Sequence, residues 1–329
     1  MLNFGTIGTS SITTKFIDAS KKGNNLKLTS VYSRDEGKAK EFADKFGAEY
    51  IFTDLEEMAK SSLIDAIYIA SPNSMHYEQA KLFLKNKKHV ICEKPIFSNS
   101  AELEEIFQVA EENGVFILEA IRNIHSPNFK KLKENISKAG AVRSANLHYV
   151  KYSSRYDLFL EGEVPNIFNP SFSGGALVDL GVYPIFLAAG LFGEPKEIFY
   201  YPVLLSNGID GSGTLVLVYE GFVCTILCSK IAQSYAPNEI HGENGTFILD
   251  YAAPITSIEF IEHHFMNKEN LTVDQNENDM VYEIEEITGI IENNNQVKYA
   301  ELKDLSRLVL KITETARKKS GIVFDADQK

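Results

Sequence analysis

The chain has 329 residues, more than one ordinary domain of roughly 100 to 200 residues, so two domains or one large α/β unit is expected. Hydrophobic residues at 44% and charged residues at 24% exclude a disordered or fibrous chain, and 33 basic against 45 acidic residues leave a net charge of -12. That acidic balance argues against nucleic acid and anionic lipid as partners, and three cysteines in so long a chain suit a reducing, cytoplasmic setting better than a disulfide framework.

Over the first 120 residues, short strand-like runs alternate with amphipathic helical stretches. Strands are expected at Leu2 to Ile7, Leu28 to Ser33, Ala66 to Ser71, His89 to Glu93 and Val115 to Glu119, and helices at Ser11 to Lys21, Glu36 to Phe46, Ser74 to Asn86 and Ala101 to Asn113. This alternation implies a doubly wound parallel sheet, in which ligands bind at the carboxyl ends of the strands. After the first strand comes Gly8-Thr9-Ser10-Ser11-Ile12-Thr13, a strand-to-helix turn that keeps only the first glycine of G-x-G-x-x-G. Its backbone N–H groups and the positive end of the helix would still suit a phosphate. The second strand ends in Ser33-Arg34-Asp35. A hydroxyl and a guanidinium suit a ribose 2′-phosphate, so NADP is expected over NAD; the competing reading gives Asp35 to the ribose.

The next strand exits carry Ser71-Pro72-Asn73, with His76 close behind, and Glu93-Lys94-Pro95. Both would converge near the nicotinamide end of a bound dinucleotide. Lys94, following an apolar strand, is the most suggestive single residue, because a partly buried lysine can perturb an acid or donate to a substrate oxygen. Arg122, Asn123 and His125 follow the fifth strand, and Arg122 is a candidate substrate residue.

From Val142 onward strand-like runs lengthen: Ala145 to Lys151, Glu197 to Leu205, Gly213 to Tyr219, Phe222 to Ser229 and Thr246 to Tyr251. The longest apolar stretch, Gly175 to Gly193, is broken by Asp179 and Pro184 and is expected to be a buried helix rather than a membrane span. Within it Asp179 and Tyr183 stand four residues apart, on one helical face. A buried acid requires a partner, and Lys94 is the expected one. His263-His264 lacks accompanying ligands at metal spacing, so no metal is expected; Cys224 and Cys228 share one face of a strand and are expected to be buried.

In order along the chain, Gly5-Thr-Ile-Gly8, Tyr32-Ser33-Arg34, Ser71-Pro72-Asn73 with His76, Lys88 to Pro95 and Gly174 to Pro184 resemble the Gfo/Idh/MocA oxidoreductases. The resemblance implies a Rossmann domain at 1–120 and, at 121–329, an α+β domain for substrate binding and oligomerisation, built on a large, mostly antiparallel sheet. A helix at about 301–319 would follow it, and a homodimer or homotetramer would form through the sheet. It further implies a dehydrogenase or reductase acting on a sugar, polyol or related cyclic alcohol. The cofactor would lie against Gly8, Thr9, Ser10, Ser11, Ile12, Ser33, Arg34, Ser71, Pro72, Asn73, His76, Glu93 and Lys94. Many members carry histidine where Tyr183 stands; the tyrosine resembles the glucose-fructose oxidoreductase and dihydrodiol dehydrogenase subset, which tends to use NADP. In that pattern Tyr183 exchanges the proton, Lys94 favours its ionised form and orients the substrate oxygen, and Asp179 positions Lys94 or a further hydroxyl. The alternative is a dinucleotide-binding sensor of the same fold without turnover.

Overall fold

The computed structural model describes residues 1–23 and 25–328, so the last residue of the expected second domain, Lys329, lies outside the described residues. The chain divides into two compact units, one formed by Met1–Ile121 and Asn276–Ser306, the other by Arg122–Gln275 and Arg307–Lys329.

The first unit runs β1 (Leu2–Ile7), α1 (Ser11–Ser20), β2 (Leu26–Tyr32), α2 (Glu36–Phe46), β3 (Tyr50–Phe52), α3 (Leu55–Lys60), β4 (Ala66–Ile69), α4 (His76–Lys85), β5 (His89–Glu93), α5 (Ser100–Asn113) and β6 (Ile117–Ala120). Its strands form a six-stranded sheet in the order β3-β2-β1-β4-β5-β6, all pairs parallel. This is the doubly wound order, and the topological switch falls between β1 and β4, where a ligand crevice opens at the carboxyl ends. The short pair β3 and α3 escaped the periodicity, because three strand residues and six helical ones carry too little pattern.

The second unit contains α6 (Pro127–Asn135), β7 (Val142–Val150), α7 (Tyr156–Leu160), α8 (Val182–Phe192), β8 (Glu197–Leu204), β9 (Asp210–Tyr219), β10 (Phe222–Ser229), β11 (Asn238–Gly242), β12 (Gly245–Leu249), β13 (Ile258–Glu262) and β14 (Lys268–Asn270). They form an eight-stranded sheet in the order β14-β13-β12-β11-β7-β10-β9-β8, antiparallel except where β7 runs parallel to β10. One face of the sheet is covered. The apolar stretch expected as a buried helix is one: Val182 to Ala189 are all buried. Cys224 and Cys228 are fully buried on the covered face, where burial pushes the Cys224 thiol up to about 12.

The chain then enters α9 (Met280–Glu292), whose apolar face, Met280, Ile284, Ile287, Ile290 and Ile291, joins the core built from Phe4, Phe16, Ile17 and Tyr68. That burial assigns Asn276–Ser306 to the first unit, where a division at residue 120 places it in the second. The last helix, α10, begins at Gln296 rather than at about 301 and continues to Lys319.

Candidate active site

In the first unit, the turn after β1 depends on Gly8. Its φ is +106°, and a Cβ there would lie 2.6 Å from the carbonyl oxygen of Ala70, so no other residue fits without strain. Ser10, in place of the second glycine, sits in ordinary extended geometry as the N-cap of α1. Thr13, in place of the third, is fully buried with its hydroxyl 3.4 Å from that of Ser10. Thr9, Ser10 and Ser11 are exposed, while Ile12 packs on the core and can offer a ligand only its backbone N–H. The turn therefore presents unhindered N–H groups at a helix start with a single glycine, which suits a phosphate.

At the end of β2 the Ser33 hydroxyl accepts a bond from the Asp35 N–H at 3.2 Å, and Arg34 is exposed. Asp35 caps α2, its carboxylate accepting from the Lys38 N–H at 2.9 Å. A carboxylate spent on a helix cap is poorly placed to read a ribose, which removes the main argument for NAD at this strand end.

Two residues expected to face the cofactor face the interior. His76 is fully buried: its Nε2 lies 2.9 Å from the Ser71 carbonyl and its Nδ1 3.2 Å from the carbonyls of both Pro95 and Ile96. The ring ties the loop after β4 to the loop after β5, and burial lowers its pKa. Glu93 is buried and accepts a 2.5 Å bond from the hydroxyl of the fully buried Tyr68. Both were expected at the groove because they stand at strand ends; α4 begins at His76 itself and turns the ring inward. Ser71, Pro72, Asn73 and Lys94 remain half-buried at those same strand ends, and the Ser71 hydroxyl donates to Gln79 at 2.7 Å.

Glu119, which no local sequence pattern marks, stands beside this loop. It pairs across strands with Cys92, and its carboxylate accepts from the Ile96 N–H at 3.0 Å, one residue past Pro95. Burial raises it to about 7; the neighbouring Glu93 charge adds to that rise, and Ser306, the Ile96 N–H and Lys94 oppose it.

In the second unit, the helix expected within Gly175 to Gly193 is a π turn over Leu177–Gly181 that passes into α8. Tyr183 lies at the start of α8, 6% exposed. Tyr149 of β7 stacks on its ring at 5.3 Å between centroids, and the guanidinium of Arg122 lies 5.4 Å from the ring centre. The Asn123 amide donates to the Tyr183 carbonyl at 3.0 Å and to the Ala252 carbonyl at 3.2 Å, holding this turn of helix in place. Arg122 is thus brought onto Tyr183 by the short helix Arg122–His125, whereas His125 is buried. Beside Tyr149 opens a cavity of about 300 Å³, with Lys151, Gln233, Ser234 and Tyr251 in its wall. Val150, Ala252, Ala253 and Pro254 make another part of its lining apolar, so the cavity, of small-molecule size, combines an apolar wall with a few side chains that can hydrogen-bond hydroxyls.

Asp179 has a partner that sequence spacing did not disclose. The ammonium group of Lys230, just past β10, bonds the Asp179 carboxylate; the lysine side chain is 1% exposed and that of the aspartate 28%. The partner that the sequence suggests for Asp179 is Lys94, in the other unit. Lys230 carries the same local signal as Lys94, a lysine directly after an apolar strand.

Residues 2–120 match the oxidoreductase family model described as an NAD-binding Rossmann fold, and residues 129–248 match the Gfo/Idh/MocA C-terminal domain. The chain is 44% identical over 328 residues, all of both chains, to scyllo-inositol 2-dehydrogenase (NADP(+)) IolU of Bacillus subtilis. It is 26% identical over 325 residues to mouse trans-1,2-dihydrobenzene-1,2-diol dehydrogenase, covering 92% of this chain and 91% of that one. Among solved structures, a 3-ketoreductase from Actinomadura kijaniata in complex with NADP and TDP-benzene superposes with a TM-score of 0.82 at 20% identity, over 96% of this chain and 97% of that one, a likeness of fold.

Proposed function

The chain belongs to the Gfo/Idh/MocA oxidoreductase family, and on that premise we propose that it is an NADP-dependent dehydrogenase that moves a hydride between the nicotinamide and a cyclic polyol of the inositol class. The observation that carries this reading is the 44% identity, without a gap in coverage, to an NADP-dependent scyllo-inositol dehydrogenase. The commitment of Asp35 to a helix cap beside Ser33 and Arg34 supports NADP independently.

The residues present fit the dinucleotide: the turn at Gly8 leaves room for a phosphate at the N-terminus of α1, Ser33 and Arg34 are available to a 2′-phosphate, and Ser71, Pro72 and Asn73 border the crevice. The bound cofactor supplies the hydride acceptor or donor. We assign proton exchange with the substrate hydroxyl to the Tyr183 Oη and orientation of the reacting oxygen to Lys94. A substrate hydroxyl falls to Asp179, with Arg122 holding the Tyr183 ring. The wall of the cavity beside Tyr149 suits a ring bearing several hydroxyls, since a polyol offers donors and acceptors all round. His76 takes a positioning role, tying the Ser71 and Pro95 loops.

Phe199, Tyr201, Val203, Val223 and Leu227 are exposed in β8 and β10. An apolar stripe of this kind on an open sheet supports association of copies through that face. Three free, buried cysteines accord with a reducing compartment, the cytoplasm.

The decisive assay offers the enzyme a panel of inositols, sugars and diols with NADP and with NAD, read at the absorbance of the reduced nicotinamide. Turnover of a cyclic polyol with NADP is expected. Tight NADP binding with no turnover across the panel would instead favour a sensor.

A further inference from the structure

The second unit holds a buried cation that proton exchange and hydride transfer do not use. Lys230 is among the largest fully buried side chains of the chain. Its backbone is fixed on both sides: its N–H donates to the Gly211 carbonyl at 2.8 Å, and its carbonyl accepts from the Ser153 N–H at 2.9 Å. Its ammonium group bonds Asp179 and lies 5.2 Å from the centre of the Phe168 ring.

A second acid completes the cluster. Asp210, 2% exposed at the start of β9, accepts from the Leu177 N–H at 2.7 Å and from the Tyr200 hydroxyl at 2.6 Å, and the Lys230 charge acts on it. It also dictates Gly175, where φ is +122° and a Cβ would lie 2.1 Å from the Asp210 carboxylate. Gly181 is packed less severely, a Cβ there falling 3.2 Å from the Cys228 sulfur.

An acid and a lysine grip one short element. Asp210 holds the first residue of the π turn, Leu177, and Lys230 holds its third, Asp179; Tyr183 follows two residues after its end. A π turn is a rare conformation, found mostly as a single turn at functional sites. A buried lysine is also a costly way to fill space, since an apolar side chain of similar volume commonly stabilises a fold as well or better. What the cation supplies and an apolar residue does not is a fixed direction for the Asp179 carboxylate.

We propose that Lys230 is a positioning residue: through Asp179, and together with Asp210, it locks the π turn Leu177–Gly181 and so sets the facing of the Asp179 carboxylate and the Tyr183 hydroxyl toward the substrate. This rests on the assignment of Asp179 and Tyr183 as working residues. The Lys230–Asp179 pair has one closed end and one part-open end, as a support and the group it aims must.

The test is a double-mutant cycle in the full-length enzyme with Lys230→Met, Asp179→Asn and the double variant, measuring kcat, KM, NADPH affinity by nicotinamide fluorescence, and the far-UV circular dichroism. Lys230→Met is expected to lower kcat on the order of 100-fold, the scale of a misplacement near 1 Å, with NADPH affinity unchanged to within about twofold. Because the pair acts as a unit, the double variant should be within about threefold of the slower single variant. Losses that multiply, or a Lys230→Met enzyme with wild-type kcat, overturn the proposal. If Lys230→Met does not fold, Lys230→Gln takes its place in the same cycle with the same two outcomes. The polyol assignment is judged separately, on wild-type turnover. The cycle is run on whichever alcohol or ketone the wild type turns over fastest, and an enzyme inert to all of them overturns both.

Discussion

The two units hold the residues we assign to cofactor and substrate by opposite means. In the first, the residues we assign to the cofactor lie at strand ends and rely largely on backbone: one obligatory glycine, N–H groups at the start of α1, a half-buried serine and an exposed arginine. In the second, the side chains we assign to catalysis lie on a π turn and the helix that follows it, and each is braced by another side chain: Tyr149 and Arg122 on Tyr183, Lys230 on Asp179, with Asp210 on the start of the π turn that carries Asp179. Backbone donors at a helix start are present wherever the fold is, so the first arrangement needs few special residues. Buried polar groups must each be satisfied by a partner, so the second comes as a network in which removing one member strands another.

If the comparison holds, damage in the second unit should appear in the rate and damage in the first in cofactor affinity. The largest effect is expected at Tyr183→Phe. Loss of the hydroxyl should lower kcat by about 100- to 10,000-fold while NADPH binding is retained, checked by steady-state rates and fluorescence titration; a variant with near-normal kcat would remove Tyr183 from proton exchange.

Next comes Glu119, one of the buried acids of the first unit, braced like those of the second. Burial raises it from 4.5 to about 7, so between those pH values the folded chain keeps a proton that the unfolded chain has released. The stabilisation from its neutral form is complete below about pH 4.5 and is lost as pH rises through about 7, a change of up to about 3 kcal/mol. Glu119→Gln keeps an acceptor for the Ile96 N–H and does not titrate. Its stability relative to the wild type should therefore rise between pH 5 and pH 8, measured by urea denaturation at each. A difference that does not change with pH would show that Glu119 is charged throughout.

The smallest effect belongs to Arg34→Ala. Removing an exposed guanidinium from a phosphate should cost about 1.5 to 3 kcal/mol of NADP binding, roughly 10- to 100-fold, with NAD binding unaltered. Equal losses for the two cofactors would mean that Arg34 does not read the 2′-phosphate.

Local patterns in the chain reach as far as neighbours in sequence or one strand-helix unit allow. The alternation of strands and helices, the turn at Gly8, the Ser33-Arg34-Asp35 strand end and the buried helix after Gly175 are all of this kind, because each is specified by residues a few places apart. Where a side chain turns is decided at longer range. His76 and Glu93 stand at the strand ends where a groove is expected, yet the ring of one meets carbonyls 19 and 20 residues away and the carboxylate of the other meets Tyr68. The helix α9 follows the second sheet in sequence and belongs to the first core, since its isoleucines bury against Phe16 and Ile17.

The sequence by itself determined the two-part architecture, the family pattern from Gly8 to Tyr183, and the acidic, cysteine-poor character of the chain. These depend on composition and on periodicities of two and 3.6 residues that any stretch of chain displays. Only the tertiary structure decided which charge meets which. Lys230 stands 51 residues from Asp179 and reaches it because β10 ends beside the π turn. A buried charge must be neutralised by whatever partner the fold brings within bonding distance, and that distance is not written in sequence spacing.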